Sequence, residues 1–349
     1  MKIARYISRI LFYVILLLVS ACNIHQWPDP EEVVPLRVAV KYNLNDLEWT
    51  QFDVTEGMSQ NDKSKTVQKY IVEHNQGKVR YTIRLMSVPT RVESADSPVR
   101  EYTFVKEVSE SRDIYIELDA PPGEYRVMVW ADYMKEDSEE SYYDASNFAQ
   151  ITFNGEHEGN NDLHDAFSGE GVVMLTANGV DDEPVEVDIQ MHRPFAKFEL
   201  VTTDLKKFIE SEIARKGNLP EDEKKVDLKD YGVVVYYVGY FPDVYSLYTD
   251  KPVDASNGVY FESFMDTLDE ERARLGFDYV FIGDNESAVT VQVAVFDKNE
   301  ALVSLTEPME VVLNRGQHSV LQGGFLLTKA AGGVDLDTDY EGEYNIVVK

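Results

Sequence analysis

The chain is poor in the residues that catalysis, metal binding and nucleic-acid recognition require. Its 349 residues include one cysteine, so no disulfide can form within it, even in an oxidising compartment where bridges are allowed. Cations are scarce: 33 Lys and Arg stand against 63 Asp and Glu, a formal charge of −30. No basic stripe offsets that field, which excludes nucleic acid and anionic lipid head groups as electrostatic partners. The six histidines, His25, His74, His157, His164, His192 and His318, are not spaced as a helix-borne metal pair. There is no Gly-x-Ser-x-Gly, phosphate-cradling glycine loop or dinucleotide fingerprint. The reading is therefore of a non-enzymatic protein without cofactor or resident metal. One acidic run, Asp335-Leu336-Asp337-Thr338-Asp339-Tyr340-Glu341, alternates carboxylates as a calcium loop does. It has Tyr340 where the sharp turn needs glycine and Ile346 where the bidentate glutamate belongs, so it reads as a solvated linker.

Long apolar runs are also missing. The longest, from Ile10 to Val19, is half the roughly twenty residues a membrane-spanning helix needs. It follows Lys2, Arg5 and Arg9 and precedes Ser20-Ala21-Cys22, the layout of an export signal. The only cysteine stands immediately after the small residues, where a free thiol can take a diacylglyceryl group. Residues 1–21 are therefore expected to be a lipoprotein signal peptide, with cleavage before a lipidated, palmitate-bearing Cys22. Asn23 is not the aspartate that retains lipoproteins at the inner membrane, so the expected location is the outer membrane or cell surface. Loss of the three signal-peptide cations makes the mature chain more acidic still.

What is present is apolar material in period two. Hydrophobic residues make up 44% of the chain and aromatics 11%, enough for two ordinary domains. Residues 22–32, with Pro28 and Pro30, read as a tether. From residue 33, Leu36, Val38, Val40 and Tyr42 alternate with Arg37, Ala39 and Lys41, a strand with one buried face. The pattern recurs at Val79–Leu85, Ile114–Leu118, Tyr125–Val129 and Val185–Ile189. Pro121-Pro122-Gly123 makes residues 113–133 a hairpin or tight arch. Residues 132–165 turn polar and read as an excursion over the surface. Strands are expected again at 231–240, 277–282, 289–296, 301–305, 309–313 and 319–327. One helix is expected over 204–216, with Leu205, Phe208, Ile209 and Ile213 on one face, Asp204 or Thr203 as its cap and Gly217 at its end. Strand spacing without strand–helix alternation signals an all-β protein with one or two minor helices. Two sandwich domains, 33–194 and 195–330, cross over at Pro194. Residues 331–349 form a glycine-containing hinge and a strand-like end in which Tyr344, Ile346 and Val348 share a face. Tyr142-Tyr143, Tyr236-Tyr237 and the tyrosines from 240 to 248 read as cross-strand packing, with sugar stacking as the alternative.

Four segments resemble the fimbrillin-like lipoproteins of Bacteroides-type bacteria, the family of type V fimbrial subunits and anchors. They are Val19-Ser20-Ala21-Cys22, Pro122-Gly123-Glu124-Tyr125-Arg126-Val127-Met128-Val129-Trp130-Ala131-Asp132-Tyr133, Arg193-Pro194-Phe195-Ala196-Lys197-Phe198-Glu199, and the stretch from Val311 through Asn314-Arg315-Gly316-Gln317 to Leu327. The resemblance implies two tandem transthyretin-like β-sandwiches and assembly by β-strand exchange with other fimbrial subunits. It makes Arg37 a candidate for proteolytic processing and Tyr344, Ile346 and Val348 the candidate donor strand. A monomeric surface lipoprotein binding glycan or host protein through loops 132–165 and 241–260 is the alternative.

Overall fold

The computed structural model describes residues 33–42, 48–55, 68–71, 78–88, 101–109, 114–135, 138, 140–176, 183–217, 220, 224–283 and 287–327. The first half supplies β1 (Val34–Tyr42), β2 (Glu48–Thr55), β3 (Gln68–Ile71), β4 (Lys78–Ser87), β5 (Glu101–Ser109), β6 (Ile114–Ala120), β7 (Gly123–Tyr133), β8 (Tyr143–Asp144), β9 (Ile151–Phe153), β10 (Ala166–Leu175) and β11 (Val185–Met191). The second half supplies β12 (Phe195–Thr202), α1 (Leu205–Arg215), β13 (Tyr231–Tyr237), β14 (Tyr240–Ser246), β15 (Lys251–Asn257), β16 (Tyr260–Phe264), β17 (Asp266–Thr267), β18 (Ala273–Phe281), β19 (Ser287–Asp297), β20 (Leu302–Leu305), β21 (Met309–Leu313) and β22 (Gln317–Gly323). The protein is all-β, with α1 its one α-helix among the described residues.

Alternation decides the first sandwich. Leu36, Val38 and Val40 of β1, Ile114, Ile116 and Leu118 of β6, and Val187 and Ile189 of β11 turn inward from a three-stranded sheet ordered β11-β1-β6. They meet Tyr81, Ile83, Leu85, Val127 and Val129 from the facing sheet, ordered β10-β7-β4-β5. The Pro121-Pro122-Gly123 turn is the arch of the two expected alternatives, because β6 pairs with β1 while β7 pairs with β4 and β10. The Tyr125 hydroxyl donates to the Pro121 carbonyl at 3.0 Å and closes it. Gly169 and Gly171 keep β10 close to β11: a Cβ on Gly169 would lie 2.6 Å from the Gln190 carbonyl oxygen, and one on Gly171 2.8 Å from Ile189.

The second half repeats this wiring. β1 runs parallel to β11, the last strand of its half, and antiparallel to β6. In the same way β12 runs parallel to β22 and antiparallel to β18. The facing sheet, β16-β13-β19-β20 with β21 also on β19, matches β5-β4-β7-β10 in order. Sheet pairing also crosses between the halves. β2 pairs parallel with β22 and carries β3 outside it, extending the second-half sheet to β17-β18-β12-β22-β2-β3.

α1 forms over the expected residues, and Gly217, at φ +58°, ends it. Its buried face differs from the expected one: Leu205, Phe208 and Glu212 are buried while Ile213 is exposed. The reason is polar, since the Glu212 carboxylate accepts from the Tyr231 hydroxyl at 2.7 Å and from Arg215 at 2.6 Å. Asp204 occupies the cap position with no side-chain bond to the helix; its carboxylate accepts from the backbone N–H groups of Leu326 and Leu327 instead.

The segment 132–165 is not a surface excursion. Tyr143, Ala145, Phe148, Ile151, His164 and Asp165 are buried, and β8 and β9 join β14 and β15 in a four-stranded sheet, order β15-β14-β9-β8. Residues 241–260 belong to that sheet and to β16 rather than to a free loop. Inward packing of β1 sets a test: Leu36→Ala, at a fully buried position, is expected to lower unfolding free energy by about 2–5 kcal/mol in a urea titration. Val172→Ala, at an exposed one, should leave the midpoint unchanged.

Candidate functional site: the seat of the first strand and the junction beside it

β1 is the middle strand of its sheet, so both backbone edges are paired and its inward side chains close the first core. Its outward side chains carry charge. Arg37 lies opposite Glu117 of β6 and Glu186 of β11, its guanidinium 2.8 Å from Glu117 and 3.9 Å from Glu186, and it lies over the Tyr115 ring at 5.9 Å. Lys41 meets Asp188 at 2.6 Å. That bond raises the Lys41 pKa above its ordinary value. The seat of β1 is thus an apolar floor rimmed by carboxylates. Arg37 sits at mid-strand, and a cut after it would release Val34–Arg37 and leave Val38–Tyr42 in the sheet. Cys22, Tyr344, Ile346, Val348 and the acidic run 335–341 lie outside the described residues.

Beside the first core runs an aromatic junction built from both halves: Met128, Trp130, Tyr143, Phe148, Ile151, Phe195, Tyr245, Phe277, Tyr279 and Phe281. Phe281 stacks on Phe195 at 4.4 Å and on Tyr245 at 5.1 Å between ring centroids. Two arginines from the motifs quoted above hold its edges. Arg193, 3% exposed, forks onto Asp165, 0% exposed, with contacts of 2.8 to 3.0 Å, and its guanidinium lies 4.9 Å from the Phe167 ring centre. Arg315 meets the Asp250 carboxylate at 2.7 Å and the carbonyls of Asp250 and Ile282. Asp250 also accepts from the Tyr245 hydroxyl and from His192 at 3.1 Å. Although burial opposes ionisation, these contacts, led by His192, hold its carboxyl well below the usual range.

Ser168, His192 and Asp250 are the residue types of a nucleophilic triad, but they are not wired as one. Both contacts use His192 Nε2, 3.4 Å from Ser168 Oγ and 3.1 Å from Asp250 Oδ1, whereas a relay needs opposite ring nitrogens. Among the described residues no group of three or more His, Cys, Asp or Glu is placed to hold a metal. Of the tyrosines singled out for sugar stacking, Tyr143, Tyr237 and Tyr245 are core residues, while Tyr240 is 73% exposed. Sequence reasoning missed Asp165, His157 and Asp278. The one signal was for Asp165, whose partner Arg193 is a cation ahead of an apolar run; the pairing of His157 with Asp278 had none.

His157 comes from the 154–161 loop of the first half. Its Nε2 lies 2.7 Å from Asp278 Oδ2 on β18, and the Tyr237 hydroxyl donates to the same oxygen at 2.5 Å. Phe153, Phe241 and Phe261 pack around the ring. The Asn160 N–H donates to the Phe277 carbonyl, and the Asn160 side chain accepts from the Phe277 N–H at 3.0 Å. Gly159 fits only because it lacks a Cβ, which would stand 2.3 Å from Phe261. Burial opposes the His157 cation, but Asp278, with Asp243 and Glu158 beyond, outweighs it and raises the pKa above the ordinary value. A folded pKa above the unfolded one contributes stability that is fully present below the unfolded value, about 6.5, and is lost as pH rises through the raised value. His164 works the other way, burial pushing its pKa down to about 4. The stability difference between wild type and His157→Gln is therefore expected to widen as pH falls from 8 toward 6, read by urea unfolding at each pH. For the ion pair, Arg193→Met alone should cost about 3–5 kcal/mol, because Asp165 is left buried and uncompensated. Adding Asp165→Leu should recover most of that loss.

The chain belongs to a family of unknown function (DUF6562), which it matches over residues 31–349. No curated protein is matched by it. Among solved structures it is similar to the fimbrial anchor protein Mfa2 from Porphyromonas gingivalis, at 12% identity, covering 78% of this chain and 82% of that one, with a TM-score of 0.37. It is similar to the tip fimbrial protein Mfa3 of the same organism at 10% identity, covering 80% and 81%, with a TM-score of 0.37. A candidate adhesin from Bacteroides ovatus is similar at 9% identity, covering 81% and 83%, with a TM-score of 0.41.

Proposed function

We propose that this chain is a lipid-anchored surface protein, attached through Cys22, that serves as a subunit or anchor of a fimbria and joins its neighbours by β-strand exchange. Two sandwich units, 33–194 and 195–330, are part of this reading, with β2, β3, β8 and β9 crossing from the first to the second. One observation carries it. β1 is a central strand whose inward residues Leu36, Val38 and Val40 are fully buried between β11 and β6. If it were withdrawn, it would leave an extended slot with unpaired backbone groups on both sides, the geometry that β-augmentation fills. β12, the equivalent strand of the second half, is tied on by Arg193–Asp165 and the Ser168–His192 bridge. The end of the chain, Tyr344 to Val348, offers the alternating pattern such a slot accepts.

A processed subunit and an anchor differ at the start of the mature chain. A subunit cut after Arg37 begins at Val38 and keeps only the second part of β1, whereas an anchor keeps Cys22, its lipid and the whole of β1. Mass spectrometry of the protein isolated from cells separates the two. Deleting 344–349 is expected to abolish assembly while leaving the unfolding midpoint unchanged; unaltered assembly would refute the proposal. A second reading, binding of glycan, has one observation in its favour: Tyr240 is exposed and Tyr260, beside Tyr236 at 5.9 Å, is 41% exposed. Retention on immobilised glycans, lost in Tyr240→Ala, would favour it.

A further inference from the structure

Three asparagines in the chain are followed by glycine: Asn154, Asn178 and Asn257. Such a pair can react with itself, because glycine has no side chain to shield its backbone nitrogen from the asparagine amide carbon. Sequence alone ranks the three equally, and the fold does not. Asn178 lies outside the described residues, and the other two stand in opposite surroundings.

Asn154 is half-buried and tied on three sides. Its Nδ2 donates to the Ser141 carbonyl at 3.2 Å, its backbone N–H donates to the Tyr142 carbonyl at 2.8 Å, and its own carbonyl accepts from Lys135 Nζ at 3.1 Å. Asn257 is exposed and closes β15, the edge strand of the sheet β15-β14-β9-β8. Among the described residues its side chain has no hydrogen-bond partner, and neither has the Gly258 N–H. Gly258 is exposed too, at φ +71°, and a Cβ placed on it would meet nothing within 4 Å. β15 has β14 as its one sheet neighbour, and the register between them shifts on either side of Val244. Edge strands held in this way open locally at little cost. That freedom lets Asn257 bring its Cγ onto the Gly258 nitrogen.

We propose that Asn257-Gly258 is a self-modifying site. The Gly258 nitrogen attacks Asn257 Cγ, the Cγ–Nδ2 bond breaks, and ammonia leaves with the proton given up by the attacking nitrogen. Water then opens the five-membered imide at either carbonyl, giving aspartate or its isoaspartyl isomer. No oxidant and no co-reactant other than water enters. Either product adds one negative charge, and the isoaspartyl form lengthens the backbone by one methylene. The lengthening falls where only Gly258 and Val259 join β15 to β16, and where the Tyr237 N–H donates to the Val259 carbonyl at 2.9 Å. The pairing of Asn257 with Tyr240 is lost with it, so β15 comes away from β14. The site is independent of strand exchange.

The test follows the purified full chain in mildly alkaline buffer, where the glycine nitrogen loses its proton most readily. Peptide mass spectrometry maps conversion over time, and an isoaspartyl methyltransferase counts the isomer. In the folded protein Asn257 is expected to convert about ten-fold faster than Asn154, the factor set by the hydrogen bonds that Asn154 must break. In concentrated urea the two should convert at similar rates. Asn257→Gln should abolish the fast conversion and leave that at Asn154 unchanged. Amide hydrogen exchange over Lys251–Asn257 should quicken in aged wild type but not in aged Asn257→Gln. Conversion of Asn257 no faster than that of Asn154 in the folded chain would overturn the proposal, as would a contrast that persists in urea. Conversion without faster exchange would overturn the detachment of β15 and leave the site standing.

Discussion

A buried ion pair lies at the point where the chain passes from one half to the other. Arg193 and Asp165 are out of solvent, and an arrangement of that kind survives only when both partners are present and well aligned. Arg193 immediately precedes Pro194, whose carbonyl accepts from the Ile282 N–H, and Phe195, which stacks on Phe281. The pair therefore holds the chain at the entry to β12, next to the aromatic junction. The first sandwich gains a wall from it, because Met128 and Trp130, on the face of β7 turned away from their own core, are covered by aromatic residues of the second half.

On that frame the two halves are wired alike, and they differ in how their middle strands are attached. β12 is continuous with β11 through Met191–Pro194 and flanked by the junction. β1 is held by its ladders, its buried aliphatic residues Leu36, Val38, Ala39 and Val40, and a few half-exposed ion pairs. Ion pairs of that kind add little to stability and more to register and partner choice. The same sheet position thus stands beside the aromatic junction in one half and under a charged outer face in the other.

Much of this architecture was legible in period two. Leu36–Val40, Val79–Leu85, Ile114–Leu118 and Val185–Ile189 are strands with the expected face inward, because in a half-buried sheet alternation and burial are the same fact. Legibility failed where that identity breaks. β10 begins Ala166-Phe167-Ser168-Gly169 and has no assignment from sequence, since its glycines serve close approach rather than burial. β14 is interrupted by register shifts around Val244, which scramble its period. Residues 141–153 look polar, yet their buried tyrosine and phenylalanine rings fill the junction, and partners both near, such as Trp130, and far along the chain, such as Phe281, give them an inside. Which strand lies beside which is not encoded by parity at all, so the excursion of β2 and β3 into the second-half sheet had no sequence signature. The candidate site divides the same way: the alternation of β1 was readable, while the acidic flanks that face it were not.

The sheet around β1 is also a matter of timing. Its neighbours lie far along the chain, Arg37 bonding Glu117 80 residues away and the Lys41 carbonyl accepting from Gln190 149 residues away. Such non-local closure is slow compared with hairpin formation. A chain delivered from its N-terminus cannot complete the β11-β1-β6 sheet until residue 191 has emerged. Until then the β1 edge that faces β11 stands unpaired, open to whatever chaperones attend the growing chain.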